Sequence, residues 1–160
     1  MELPHILLVE DNPDDEDLTK RALAKSHIAN DVVVVHDGAE ALDYIFGRGV
    51  YSDRDASDLP AVVLLDLRLP KVDGLEVLQR IRADEQKKQL PIVILTSSQE
   101  EQDRLSGYLS GANSYMEKPV DIDKFIEVAE QLHLHWQVLN ERPASAAKQE
   151  VSLGANLEGF

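Results

Sequence analysis

Five side chains that could bind a metal ion or a phosphoryl group follow short apolar runs of the chain. Glu10 and Asp11 come directly after one run, and each of three other runs is followed by one such residue: Asp66, Thr96 and Lys118. If these runs are parallel strands of one sheet, their carboxyl ends meet at the same edge. The sequence therefore predicts a pocket that contains three carboxylates, a hydroxyl and an ammonium group.

Three carboxylates in one pocket repel one another, and a divalent cation relieves that repulsion. Oxygen ligands without His or Cys favour Mg²⁺, with Mn²⁺ as an alternative. A carboxylate beside such an ion can attack phosphorus and form an acyl phosphate. We therefore predict that Asp66 is the nucleophile and that Glu10 and Asp11 orient the metal, partly through water. Thr96 and Lys118 would each bind one oxygen of the transferred group.

Each of these residues also has a simpler structural explanation. An Asp after a strand is usually a turn residue or a helix cap, and a Lys before Pro usually lies in a solvated loop. The set is more informative than its members, because four strand ends carry compatible groups in the right order.

Five short apolar runs, the fifth weaker than the others, alternate with amphipathic stretches, and continuous aliphatic runs suit strands that are buried on both faces. The strict alternation predicts an α/β fold, a doubly wound (βα)₅ five-stranded parallel sheet with right-handed crossovers. The predicted strands are 5–9, 32–35, 61–65, 91–95 and 112–116, and the predicted helices are 14–25, 38–46, 74–83, 99–110 and one that starts at Asp121.

Helical spacing also predicts which side chains share a face. The first helix places Leu18, Ala22 and Leu23 on one face. The last helix directs six side chains inward: Ile122, Phe125, Ile126, Ala129, Leu132 and Trp136. The segment 47–60 is polar and is predicted to form a long connection before the third strand.

The composition restricts the class of protein. The chain has 160 residues, no cysteine and a formal charge of −14, so we expect one domain without disulfides, thiolate metal sites or a cysteine nucleophile. The negative charge argues against nucleic acid or an anionic membrane surface as a partner. No apolar run approaches the ~20 residues of a membrane span and no signal peptide is present, so the expected location is the cytoplasm.

Half of the net negative charge is concentrated at the start of the chain. Residues 1–17 contain seven acidic side chains and no Lys or Arg. Apart from Glu10 and Asp11, we interpret this cluster, and Asp14 to Asp17 in particular, mainly as a solvated acidic helix start, which the helix dipole favours.

The motifs at the strand ends resemble the receiver domain of two-component response regulators. They are ILLVEDN at 6–12, LLDLRLP at 64–70 with Asp73-Gly74, LTS at 95–97 and YMEKP at 115–119. The resemblance covers residues 4–138 and implies the flavodoxin-like strand order 2-1-3-4-5. Residues 139–160 would then form a mobile C-terminal tail.

The resemblance assigns roles to individual residues. It implies that Asp66 accepts a phosphoryl group from a histidine kinase, and that the protein is a signalling component and not an enzyme. It further implies that Mg²⁺ is bound by Asp11, Asp66 and the backbone carbonyl of Arg68, while Glu10 acts through water.

Two further features are implied in the same way. Thr96 and Tyr115 would form a switch pair, in which the hydroxyl moves toward the phosphoryl group and the ring turns inward. The Lys118–Pro119 peptide would be cis, an isomer that is rare except before proline.

The 47–60 loop and the segment 133–136 resemble single-domain response regulators that serve bacterial phytochrome kinases, so a phytochrome-type sensor histidine kinase is the implied partner. The 20 residues after Asn140 are too few for a DNA-binding domain. We also expect a homodimer through the fourth helix, fifth strand and fifth helix, with Tyr108 and Trp136 as candidate interface residues. His133, His135 and Trp136 could equally be ordinary helix residues that pack against the sheet.

Two other functions remain open at this stage. One is a receiver-like scaffold that binds a partner without being phosphorylated. The other is a magnesium phosphatase of the haloacid-dehalogenase class, which also uses an Asp nucleophile after a strand. That chemistry needs a second Asp two residues later as general acid, where this chain has Arg68.

Overall fold

The computed structural model describes residues 4–25, 30–105 and 111–132, and within them five strands alternate with five α-helices. The predicted α/β fold is therefore confirmed. The elements are β1 (Ile6–Val9), α1 (Pro13–Lys25), β2 (Val32–Val35), α2 (Gly38–Phe46), a 3₁₀ turn (Gly49–Tyr51), β3 (Val62–Asp66), α3 (Gly74–Ala83), β4 (Ile92–Thr96), α4 (Gln99–Leu105), β5 (Ser114–Glu117) and α5 (Ile122–Gln131).

The five strands form one parallel sheet in the order β2-β1-β3-β4-β5. This is the order that the resemblance implied. The pairing sets Val9 beside Leu65 and Thr96 beside Glu117, so the strands end at one edge of the sheet. The residues at the ends of β3 and β4 and those directly after β1 are thereby brought together.

The sheet separates two apolar layers, because successive side chains of a strand point to opposite faces. In β1, Leu7 and Val9 belong to the layer that is covered by α2 and α3. Ile6 and Leu8 belong to the opposite layer, which contains Leu23 of α1 and residues of α5. All residues of β1, β3 and β4 are buried, as expected for a sheet with helices on both faces.

Helix faces were predicted less well than strands. The interpretation that Leu18 shares the core face of α1 is wrong: Leu18 is 48% exposed, whereas Thr19 and Leu23 are buried. Thr19 and Leu23 are four residues apart and thus lie on one face, and Leu18 is turned away from it. Residues 106–110 of the predicted fourth helix lie outside the described residues.

In α5, Phe125 and Ala129 are buried in the core as predicted. Ile122, Val128 and Leu132 pack partly against the same layer, and Ile126 is half-buried. Trp136, which was predicted to face inward, lies outside the described residues, as does the predicted tail 139–160.

The 47–60 connection packs on Tyr44 of α2, which in turn contacts His5 just before β1. The Tyr44 ring makes edge contacts with the rings of Tyr51 and His5, at centroid distances of 5.1 and 5.7 Å. The guanidinium of Arg54 lies 3.9 Å from the centroid of the Tyr44 ring. The Tyr44 hydroxyl also lies 2.8 Å from His5 Nε2. Burial, together with the positive charge of Arg54, lowers the pKa of His5 below its usual value of 6.5.

This lowered pKa predicts a stability loss in acid. The unfolded chain binds a proton at His5 more readily than the folded protein does, so the contribution of His5 to stability is present above pH 6.5 and is lost as the pH falls through the folded-state pKa. We expect the free energy of unfolding to fall less steeply between pH 7 and pH 5 in His5→Gln than in wild type. Denaturant titrations across this range test the prediction, and parallel curves would contradict it.

Gly74 allows α3 to begin directly against the end of β3. A Cβ atom at this position would lie 2.4 Å from the backbone oxygen of Asp66 and 2.8 Å from Leu67 Cα. The backbone N–H of Gly74 donates to the carbonyl oxygen of Leu67 at 3.1 Å, and the Asp73 side chain caps the helix by accepting from the backbone N–H of Glu76. Position 74 therefore controls the placement of the strand end that carries Asp66.

We expect Gly74→Ala to lower the free energy of unfolding by about 1–3 kcal/mol, because the new methyl group collides with backbone atoms that cannot rotate away. Gly111→Ala is the matched control, since a Cβ there first meets the flexible side chain of Arg82 at 3.2 Å. Chemical denaturation of both variants gives the comparison. Equal losses in the two variants would show that the contact with β3 is not the cause.

Candidate functional site

The ends of β1 and β3 bring three carboxylates together. Oxygen atoms of Glu10, Asp11 and Asp66 all lie within 4.8 Å of one another. Glu10 and Asp66 are buried, at 0% and 4% exposure, whereas Asp11 is exposed to solvent. The structure thus assembles the acidic group that was predicted from the strand ends.

Lys118 lies among these carboxylates. Its Nζ atom is 3.0 Å from Asp66 Oδ2 and 3.4 Å from Glu10 Oε1. A third contact, 2.9 Å to Asp15 Oδ2, was not predicted. Asp15 had been interpreted as part of a solvated helix start. The sequence feature that could have predicted this contact is the short connection between β1 and α1, because it places the first turn of α1 at the same edge of the sheet.

Burial and mutual repulsion alter the ionisation of the pocket. Burial, the hydrogen bond with Asp66 and the negative charge of Asp66 raise the pKa of Glu10 to about 8, although Lys118 opposes this. Burial lowers the pKa of Lys118, but the hydrogen bonds and charges of Asp15, Asp66 and Glu10 outweigh it and raise the pKa above its usual value. The ammonium group thus stays charged, and the acidic group still favours additional positive charge.

This donor set fits a hard divalent cation. Three carboxylates supply oxygen ligands only, two of them are shielded from water, and the single ammonium group of Lys118 contacts Glu10 and Asp66. The backbone N–H of Arg68 donates to Asp66 Oδ1 at 3.0 Å, so the residue whose carbonyl was predicted as a ligand contacts the acceptor directly. The ligand role of that carbonyl stays a prediction.

Thr96 and Tyr115 lie on neighbouring strands. Thr96 is fully buried at the end of β4, and its hydroxyl donates to the carbonyl oxygen of Met116 at 3.4 Å. Tyr115 is half-buried and packs against the core layer that contains α2 and α3. Their action as a switch stays a prediction.

The Lys118–Pro119 peptide bond is cis, and the backbone N–H of Lys118 donates to the carbonyl oxygen of Thr96 at 2.8 Å.

The candidate interface residues Tyr108 and Trp136 lie outside the described residues. Within the part of the chain that the structure describes, no helix is both long enough and apolar enough to cross a membrane.

Comparison with known proteins identifies the family. The sequence model of the family described as the response regulator receiver domain matches residues 6–130. The chain belongs to the response regulator receiver family. The resemblance found in the strand-end motifs is thereby confirmed.

Within this family, the chain is similar to response regulators of phytochromes. It is 52% identical to the bacteriophytochrome response regulator AtBRR, with a TM-score of 0.80 over 88% of this chain and all of that one. It is 48% identical to the bacteriophytochrome response regulator RtBRR, with a TM-score of 0.79 over 98% and 96% of the two chains.

A curated relative extends the comparison. Response regulator Rcp1 of Synechocystis sp. (strain ATCC 27184 / PCC 6803 / Kazusa) is 33% identical over 88% of this chain and 93% of its own length. A solved structure of Rcp1 is described as its Mn²⁺-bound form; that chain is 34% identical, with a TM-score of 0.65 over 80% of this receiver and 92% of Rcp1.

The charge balance of the receiver pocket can be tested at Lys118. We expect Lys118→Met to lower the free energy of unfolding in EDTA by about 3 kcal/mol, because the buried carboxylates lose their cationic partner. Saturating Mg²⁺ should recover part of this loss, so that Mg²⁺ raises the melting temperature more in the variant than in wild type. Lys88→Met, which removes a cation paired with the exposed Glu85, is the control. An equal effect of Mg²⁺ in wild type and Lys118→Met would contradict this account.

Proposed function

We propose that this receiver accepts a phosphoryl group from a sensor histidine kinase onto Asp66, in a reaction that requires Mg²⁺, and signals through a change of conformation. The observation that carries the proposal is the position of Asp66. It is a buried carboxylate at the end of β3, beside two further acidic side chains and 3.0 Å from the ammonium group of Lys118.

The transfer is a displacement at phosphorus. An oxygen of the Asp66 carboxylate forms a bond to phosphorus while the bond between phosphorus and the histidine nitrogen of the kinase breaks, and the imidazole leaves and takes up a proton. Lys118 stays within contact distance of Asp66 Oδ2 and stabilises negative charge on the transferred oxygens. Asp11, Asp66 and the carbonyl of Arg68 would hold Mg²⁺, with Glu10 acting through water. The bound ion would neutralise further charge on the phosphoryl group, and Mn²⁺ can fill the same role.

Two residues at the strand ends are suited to transmit the change. The phosphoryl group carries about −1.5 to −2 charges in place of the single charge of the Asp66 carboxylate, and it favours a conformation in which hydroxyl donors approach its oxygens. Thr96 ends β4 with its hydroxyl on a weak 3.4 Å hydrogen bond, so this donor can be redirected at small cost. In this proposal the half-buried ring of Tyr115 turns inward when Thr96 moves toward the phosphoryl group.

The partner we propose is a kinase of the phytochrome type. This inference is supported by the similarity to AtBRR and RtBRR, which are described as bacteriophytochrome response regulators. We further propose that the face formed by α4, β5 and α5 mediates homodimerisation and that the protein resides in the cytoplasm.

A phosphatase activity has less support. The haloacid-dehalogenase mechanism needs an acid two residues after the nucleophile, and the residue there is Arg68, whose side chain is bound to Glu101. The buried group of carboxylates, which favours an added cation, supports a receiver that is phosphorylated over a scaffold that is not. We therefore propose a phosphorylated signalling component without enzymatic turnover of its own.

The direct test uses acetyl phosphate as phosphoryl donor. We expect wild type with Mg²⁺ to gain one acid-labile phosphoryl group, and Asp66→Asn to gain none, as measured by intact-protein mass spectrometry. Asp53→Asn, which changes an exposed carboxylate of the 47–60 loop, should be labelled like wild type. Failure of wild type to be labelled would favour the phosphorylation-independent scaffold.

A further inference from the structure

A third buried carboxylate lies beside the site, outside the acidic group that would bind the metal. Glu101, in the first turn of α4, is only 4% exposed. Its Oε1 accepts hydrogen bonds from the backbone N–H and the hydroxyl of Ser97, at 3.0 and 3.1 Å. Its Oε2 accepts from Arg68 Nε at 2.7 Å. No step of the proposed phosphoryl transfer uses this carboxylate.

Arg68 connects Glu101 to the phosphoryl acceptor. Its backbone N–H donates to Asp66 Oδ1 at 3.0 Å, while its side chain reaches α4. Ser97 directly follows Thr96, so Glu101 joins the connection after β3 to the connection after β4. These are the two segments that flank the acceptor, and α4 is fixed to both through one carboxylate.

The Arg68 side chain has room to move. It is 71% exposed, and it borders a cavity of about 520 Å³. The cavity extends from Asp11 at the acidic group to Leu75 of α3 and Leu105 of α4. The guanidinium can therefore leave Glu101 for the cavity, which reaches the acidic group at Asp11, and oxygens of Asp11 and Asp66 lie within 4.8 Å of each other.

A phosphoryl group on Asp66 would compete with Glu101 for this guanidinium. It carries about −1.5 to −2 charges and three acceptor oxygens, against a single charge on Glu101. Arginine binds phosphoryl oxygens in a two-pronged geometry, which adds to the preference. Burial raises the pKa of Glu101, but the hydrogen bonds from Ser97 and Arg68 outweigh it and leave the pKa below its usual value. Glu101 keeps both donors of Ser97 when Arg68 leaves, which limits the cost of the exchange.

We propose that Glu101 is a positioning residue that holds Arg68 away from the acceptor, and that a phosphoryl group on Asp66 captures the Arg68 guanidinium and releases α4 from the segment after β3. This inference rests on the proposed function and adds a regulatory contact to the same site. Glu101 acts only through Arg68, so its effect on phosphoryl binding depends on the presence of that side chain.

The test is a double-mutant cycle with beryllofluoride and Mg²⁺, a non-covalent mimic of the phosphoryl group. Wild type, Glu101→Gln, Arg68→Gln and the double variant are titrated by calorimetry. We expect Glu101→Gln to bind the mimic about fivefold or more tightly than wild type, because Arg68 is already released. Arg68→Gln should bind it more weakly. In the Arg68→Gln background, Glu101→Gln should have no further effect.

A purely structural role of Glu101 would not produce tighter binding, since loss of buried hydrogen bonds only destabilises the fold. Glu76→Gln is the matched control, because Glu76 pairs with exposed Arg80 on α3 and is not connected to the acceptor. It should bind the mimic like wild type. Arg68→Gln changes an exposed side chain and keeps the backbone N–H. Its expected weaker binding of the mimic can therefore be tested even if Glu101→Gln does not fold.

The proposal is overturned if Glu101→Gln binds the mimic no more tightly than wild type, if its effect is the same with and without Arg68, or if Arg68→Gln binds like wild type. In these cases binding by wild type, and its loss in Asp66→Asn, still support the acceptor site. Absence of binding by wild type would instead contradict the proposed function and this inference together.

Discussion

The structure depends on a conflict between burial and charge at one edge of the sheet. Neighbouring strands β1 and β3 end side by side, so the residues that follow them cannot avoid one another. Glu10 and Asp66 are shielded from water there, and Lys118 contacts both. A pocket with more negative than positive charge is unfavourable by itself, and that excess favours the binding of a divalent cation.

The surrounding fold keeps this unfavourable arrangement in place. Strands β1, β3 and β4 are buried along their whole length and fix the ends that carry the acidic and hydroxyl groups. Gly74 brings α3 against the backbone of Asp66, and the connections after β3 and β4 are joined through Arg68 and Glu101. Asp66 is thus connected to α4 by short, specific contacts.

Prediction from the sequence succeeded where a pattern is local. The aliphatic runs give the strands, and the residue after each run gives a candidate for the site, because parallel strands end at a common edge. The predicted orientation of Leu18 was wrong, because Leu18 and Thr19 are adjacent in sequence and only packing decides which of them faces the core. Asp15 and Glu101 were missed as contacts of Lys118 and Arg68, because each pair is separated by more than 30 residues.

The sequence by itself determined the alternation of strands and helices, the acidic and hydroxyl residues at the strand ends, and the family. It did so because these features follow from residue type and spacing along the chain. Only the tertiary structure decided that Lys118 contacts the carboxylates of Glu10, Asp15 and Asp66. The same is true of the connection that Arg68 makes between Asp66 and α4. Both depend on side chains from distant segments that meet at the sheet edge, where distance and burial, and not residue type, set the strength of each interaction.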